Sequence, residues 1–145
     1  MKKLYKFCLG KYLGENFKDS YVELYVYDWE NEKDRKRFLK QMNGDPVPEN
    51  GGCGVTDYGL WRSKKPTIKI YINTSIADPF EQAFCTIPHE IEHALGKGVL
   101  RKAAIELKMT TLYPGCEEIA RVAGVLSYRF QLAYLKEIGY NVQKC

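Results

Sequence analysis

The stretch 67–73, Thr-Ile-Lys-Ile-Tyr-Ile-Asn, leaves the backbone few options. Isoleucine at every second position has the period of an extended strand and not of a helix, so Ile68, Ile70 and Ile72 share one face and turn it to a core. Residues 21–27 (YVELYVY) alternate in the same way, with Val22, Leu24 and Val26 together. After them Asp28 or Asn31 can cap a helix running to about Met42, where Asn43-Gly44 would stop it. The segment 43–60 holds Gly44, Pro46, Pro48, Gly51, Gly52, Gly54 and Gly59. Punctuation this dense reads as loop and turns. A loop of that length is often a binding surface or lid, and Asn50-Gly51-Gly52-Cys53-Gly54 is the part that would fold over a cleft.

Beyond the second strand, Asp78-Pro79-Phe80-Glu81 has the form of a helix start, with Asp78 as cap, proline at the first helical position and Glu81 closing a capping box. This helix is expected to reach about Leu95, with Gly96 and Gly98 as stop signals and Pro88 kinking it or removing one backbone hydrogen bond. A short helix over 99–109, a turn at Tyr113-Pro114-Gly115 and a long amphipathic helix over 116–138 complete the chain. The expectation is an α+β domain, a small sheet packed against helices.

At 145 residues, 45% hydrophobic and 28% charged, the chain has the size and make-up of one globular domain spanning 1–145. No apolar run approaches the ~18–20 residues of a membrane-spanning helix, so no membrane partner is expected. The net charge of +4 is mild, and the densest basic patch, within 33–40, reads as the solvated face of a helix. Both argue against nucleic acid as a partner. The five cysteines are odd in number and form no C-x-x-C pair, and the first residues lack an apolar signal-peptide core. Reduced thiols and a cytoplasmic location are therefore expected.

The chain's two histidines fall at His89 and His93, and Glu90 follows the first. Four residues apart on a helix, both imidazoles leave one face about 6 Å apart, a spacing that suits two ligands of a tetrahedral zinc. Glu90 lies beside that face, within reach of a water and not itself a ligand. This is the H-E-x-x-H pattern, and in a random chain of this composition it would arise with a probability of about 0.001.

A catalytic zinc needs a third protein ligand and one open position. Gly96 extends the pattern toward that of the metzincins, but the position of their third histidine is Val99, which cannot bind zinc. Acidic residues are a second source: Glu117 and Glu118 open the last helix. Cysteine is a third, since Cys85, His89 and His93 recur at four-residue steps and Cys116 neighbours Glu117. A site closed by cysteine would be structural.

The run Glu117-Glu118-Ile119-Ala120-Arg121 resembles the E-x-x-A ligand segment of gluzincin-type H-E-x-x-H peptidases such as the ImmA/IrrE and HtpX types. Arg121 stands where those families carry Asp or Asn. The resemblance implies a zincin-like fold in which an edge strand, here 67–73, lies beside the active-site helix and aligns an extended protein or peptide substrate. It implies Glu117 as third zinc ligand and a phage or mobile-element setting in which regulatory proteins are the targets. The function expected is a zinc-dependent peptidase with zinc on His89, His93 and Glu117, Glu90 as general base, and Tyr113, Arg121 or Tyr128 as candidate donors to the oxyanion or substrate. The alternative is a non-catalytic zinc-binding interaction protein that retains a peptidase-like site, against which an intact Glu90 argues.

Overall fold

The computed structural model describes residues 1–76 and 78–141. Its chain begins with strand β1 (Lys2–Cys8), a single turn of helix α1 (Gly10–Leu13) and a 3-10 turn at Glu15–Phe17. Strand β2 (Tyr21–Tyr27), helix α2 (Glu32–Met42), and strands β3 (Gly54–Leu60) and β4 (Thr67–Asn73) follow. A continuous helical stretch then begins at α3 (Pro79–Glu81), passes through α4 (Ile87–His93) and ends at Glu106, and the last helix is α5 (Glu117–Glu137).

The four strands make one mixed sheet in the order β1-β2-β4-β3. β2 and β4 pair in parallel at its centre, Tyr21 to Tyr27 against Thr67 to Asn73 residue for residue, and β1 and β3 flank them antiparallel. Alternation does what it promised on these two strands. Val22, Leu24, Ile68, Ile70 and Ile72 are fully buried, packed in one cluster with Ile87, Ile91 and Ala94 of the helical stretch and Val122, Leu126 and Phe130 of α5. The opposite face is covered by α2, whose Phe38 stacks on Tyr27 with 3.9 Å between ring centroids. The result is a mixed α/β arrangement with the sheet between α2 and the longer helices. Among the described residues no helix is long and apolar enough to cross a membrane.

Local signals held at several ends. Asn31 caps α2 by accepting from the Asp34 N–H, and Asn43 leaves that helix in the left-handed conformation. Asp78 caps the long stretch through the Phe80 N–H at 2.7 Å; the structure shows no matching bond from Glu81. Gly139, at φ +98°, follows the end of α5.

Four expectations need correction. The segment 43–60 is not all loop, because it contains β3. Strand 67–73 is not an edge: β4 lies inside the sheet, and β3 takes the edge. β1 is an additional strand, its alternation broken by a bulge between Lys3 and Tyr5. The helix does not stop at Leu95, nor does a separate helix begin at 99. Gly96 and Gly98 sit inside the stretch, and a Cβ on Gly98 would lie 2.4 Å from Ile68 Cδ1, so this glycine admits the helix to the sheet and does not end it.

Pro88 is accommodated by a widened turn. Gln82–Thr86 is π-helical, and the Ile87 N–H reaches back five residues to the Gln82 carbonyl. A regular turn would drive the proline ring into the carbonyl four residues earlier, and the wide turn relieves this. Two more π-helical segments, Ala94–Leu100 and Lys102–Glu106, carry the stretch to its end.

The Asn50–Gly54 run is fastened to the ends of β2 and β4. Tyr27 donates its hydroxyl to the Gly51 carbonyl at 2.8 Å, and Asn73 donates Nδ2 to the Gly52 carbonyl at 2.9 Å. Gln82, fully buried, donates Nε2 to the carbonyls of Cys53 (2.8 Å) and Asn73 (2.7 Å), joining β3, β4 and the helix at one point. Replacing it with an apolar residue strands buried carbonyls, at a cost of about 1–3 kcal/mol each. Gln82→Leu is therefore expected to lower the urea midpoint of unfolding with little change in slope, and an unchanged midpoint would contradict this role.

Candidate metal centre

The rotation of α4 about its own axis is set by its apolar residues. Ile87 and Ile91 face the sheet and are buried, which places His89 and His93 outward and Glu90 sideways toward β3. His89 is exposed, His93 half-buried and Glu90 buried at 6% exposure. The histidine side chains converge, with Nε2 of one 3.2 Å from Nε2 of the other. Among the described residues, the ligating atoms of His89, Glu90 and His93 form the one group that gathers within 4.8 Å.

The donors can be tested against zinc directly. Zn–N bonds of about 2.0–2.1 Å at a tetrahedral angle set two nitrogens about 3.3–3.4 Å apart. The 3.2 Å separation of the imidazoles is close to that span. Both are nitrogen donors of the type zinc prefers, and the pair opens to solvent on the His89 side. The histidine pair fits two of the positions around such a metal.

β3 supplies neighbours that the sequence reading missed. Thr56 donates its hydroxyl to the Glu90 backbone carbonyl at 3.1 Å and lies 3.3 Å from the Glu90 carboxylate. Tyr58 donates to the His93 carbonyl at 2.6 Å. Burial, with the Glu90 charge beside it, pushes the Tyr58 phenol up to about 12, so it remains a donor at neutral pH. Burial also raises the Glu90 carboxyl above the usual range, against the pull of His89, His93 and the Thr56 hydroxyl. Val-Thr-Asp-Tyr-Gly-Leu at 55–60 does carry a strand's β-branched and aromatic residues, and that signal was outweighed by the glycines around it.

Gly54 sets the closeness of β3 to the helix: a Cβ there would lie 2.9 Å from Thr86 Cγ2 and 3.0 Å from the Tyr71 carbonyl oxygen. Cys53 and Cys85, both exposed free thiols, border the small open cleft beside His89 and Glu90. Cys8 and Cys116 are also free, the latter buried; Cys145 lies outside the described residues.

The remaining candidates stand apart from the histidine pair's group. Glu117, in the first turn of α5, is 80% exposed, with its carboxylate 4.0 Å from Arg121. Glu118 beside it is also exposed. Tyr113 is exposed at the turn that leads into α5, whose Cys116 N–H closes on the Tyr113 carbonyl at 3.1 Å. Tyr128 is exposed on α5, with the Arg129 guanidinium 5.7 Å from its ring. Val99, at the metzincin position, is fully buried in the core.

Comparison of the chain with protein-family models, with curated proteins and with solved structures yields no match to any of the three.

Proposed function

We infer that the chain is a zinc-dependent peptidase of zincin type, acting on a protein or peptide. The observation that carries this reading is the pair of imidazole nitrogens, 3.2 Å apart, with a buried glutamate immediately beside them. A metal-only site has no need of a carboxylate held out of water at that position. Zinc bound there supplies Lewis acidity to a scissile carbonyl and lowers the pKa of a coordinated water toward 7.

The protein's own groups divide the remaining work. His89 and His93 present Nε2 from one face of α4, their spacing held by the helix. Glu90 takes a proton from the attacking water and returns it to the leaving amine. Thr56 steadies that carboxylate from the edge strand, and Tyr58 anchors the following turn through the His93 carbonyl. The third ligand we assign is Glu117. Its helix packs against the α4 side of the sheet, and its one ion-pair contact, at 4.0 Å on the surface, is weak enough to leave the carboxylate free to turn. The free edge of β3, rather than β4, offers an extended substrate backbone its hydrogen bonds.

Metal content comes first. Tag-free protein is expected to carry about one zinc per chain by mass spectrometry, lost in His89→Ala and in His93→Ala and weakened at least tenfold in Glu117→Ala. Retention of zinc at full affinity in Glu117→Ala would move the third ligand elsewhere, and with cysteine the site would be structural. No zinc in wild type after reconstitution would remove the reading.

Glu90→Gln separates catalysis from metal binding. It is expected to keep its zinc and lose about 10²–10⁴-fold in kcat on a fluorogenic peptide library. Wild-type hydrolysis no faster than that of Glu90→Gln would leave the non-catalytic zinc protein as the better description.

A further inference from the structure

Beyond His93 the same helical stretch borders a second, larger concavity. A cavity of about 400 Å³ lies between the end of β3 and the π-helical segments, and Tyr58, Trp61, Arg62, Lys97, Arg101 and Lys102 line it. Its only acidic lining residue is Glu106. Among the described residues none of the four cations has a carboxylate within ion-pairing distance, although six ion pairs form elsewhere. Lys102 instead rests over the Trp61 ring, 4.8 Å from its centroid. Gathering like charges around a concave wall is unfavourable unless an opposite charge joins them, and a low-dielectric floor such as Trp61 strengthens the attraction when one does.

The cavity neighbours the metal centre along the helical stretch. Tyr58 lines it, and the Tyr58 hydroxyl donates to the His93 backbone carbonyl at 2.6 Å. His89, His93, Lys97 and Arg101 recur at steps of four residues along one helical stretch. Lys97 and Arg101 lie about one and two turns beyond His93, roughly 5 and 10 Å along the axis. An extended chain advances about 3.3 Å per residue, so two or three residues bridge the metal centre and the cations.

We propose that this cavity is an anion-recognition subsite that selects protein substrates carrying an acidic residue two or three positions from the bond to be cut. The assignment rests on the peptidase reading for its geometry, and on the unpaired cations for its chemistry. A concave site of this volume holds a few side chains, and only four of the chain's 22 Lys and Arg residues line it, in a chain of net charge +4. Both features favour a peptide segment over a nucleic acid, whose binders spread charge along a surface.

The test uses fluorescence anisotropy with a fluorescein-labelled ten-residue peptide containing three consecutive glutamates, and the same peptide with glutamines. Binding is measured on Glu90→Gln protein so that the probe survives. The glutamate peptide is expected to bind at least tenfold more tightly than the glutamine peptide, and to weaken as salt is raised. Lys97→Glu and Arg101→Glu, both at exposed positions, are each expected to abolish most of that preference with zinc content and thermal midpoint unchanged. Equal binding of the two peptides, or a preference untouched by both reversals, overturns the proposal. So does tighter, reversal-sensitive binding of a single-stranded oligonucleotide, which would assign the cavity to nucleic acid. Selective peptide binding by a chain that hydrolyses nothing keeps the subsite and removes the peptidase. Hydrolysis of acidic and neutral peptides with equal kcat/KM, indifferent to Arg101→Glu, does the reverse.

Discussion

The packing of Ile87, Ile91 and Ala94 against the isoleucine face of β4 is the constraint on which the rest depends. A helix has one rotational degree of freedom about its axis, and an apolar seam removes it. Once those residues are turned to the sheet, the neighbouring positions have no choice: His89 and His93 point to solvent and Glu90 to the flank where β3 runs. The site is thus a by-product of core formation. Burying that seam also brings Thr56 and Tyr58 to the helix, because β3 is joined to β4 over Gly54 to Leu60.

What the sequence disclosed, and what it hid, follow from how local each feature is. The histidine pair is written in one helical turn, so His89, Glu90 and His93 could be read without any tertiary knowledge. β2 and β4 were equally plain, since alternation of Val22, Leu24, Val26 and of Ile68, Ile70, Ile72 reflects burial on one face. β3 was obscured because its environment is set by a partner strand and a helix distant in sequence, while Gly51, Gly52, Gly54 and Gly59 dominate any local window. In the fold Gly54 serves close approach to Thr86, a demand that no local pattern announces. Gly98 misled for the same reason. β1 was masked by the bulge that breaks its period.

The polar residues tell a parallel story. Glu117 could be singled out by likeness to a ligand segment, yet its side chain is 80% exposed beside Arg121, so the protein alone does not gather it with the histidines. Gln82, which joins three elements through two carbonyls, carried no signal, since a buried glutamine is recognisable only by its partners. Trp61 and Lys102, distant in sequence, form one stacked pair because β3 ends where the π-helical stretch passes. Residues whose role lies in such crossings are legible in space and not along the chain.

The widened turn at Gln82–Thr86 has an architectural consequence of its own. A turn closed over five residues holds one residue more than an α-helix would, which is equivalent to a single insertion that shifts the phase of everything upstream by about 100°. Gln82 and Ile87, five residues apart and on well-separated faces of a regular α-helix, can then both be buried although Pro88 resists a regular backbone. The segment therefore works as a coupling between two helices of different phase, letting the capped start at Asp78 and the histidine-bearing half keep separate alignments to one sheet.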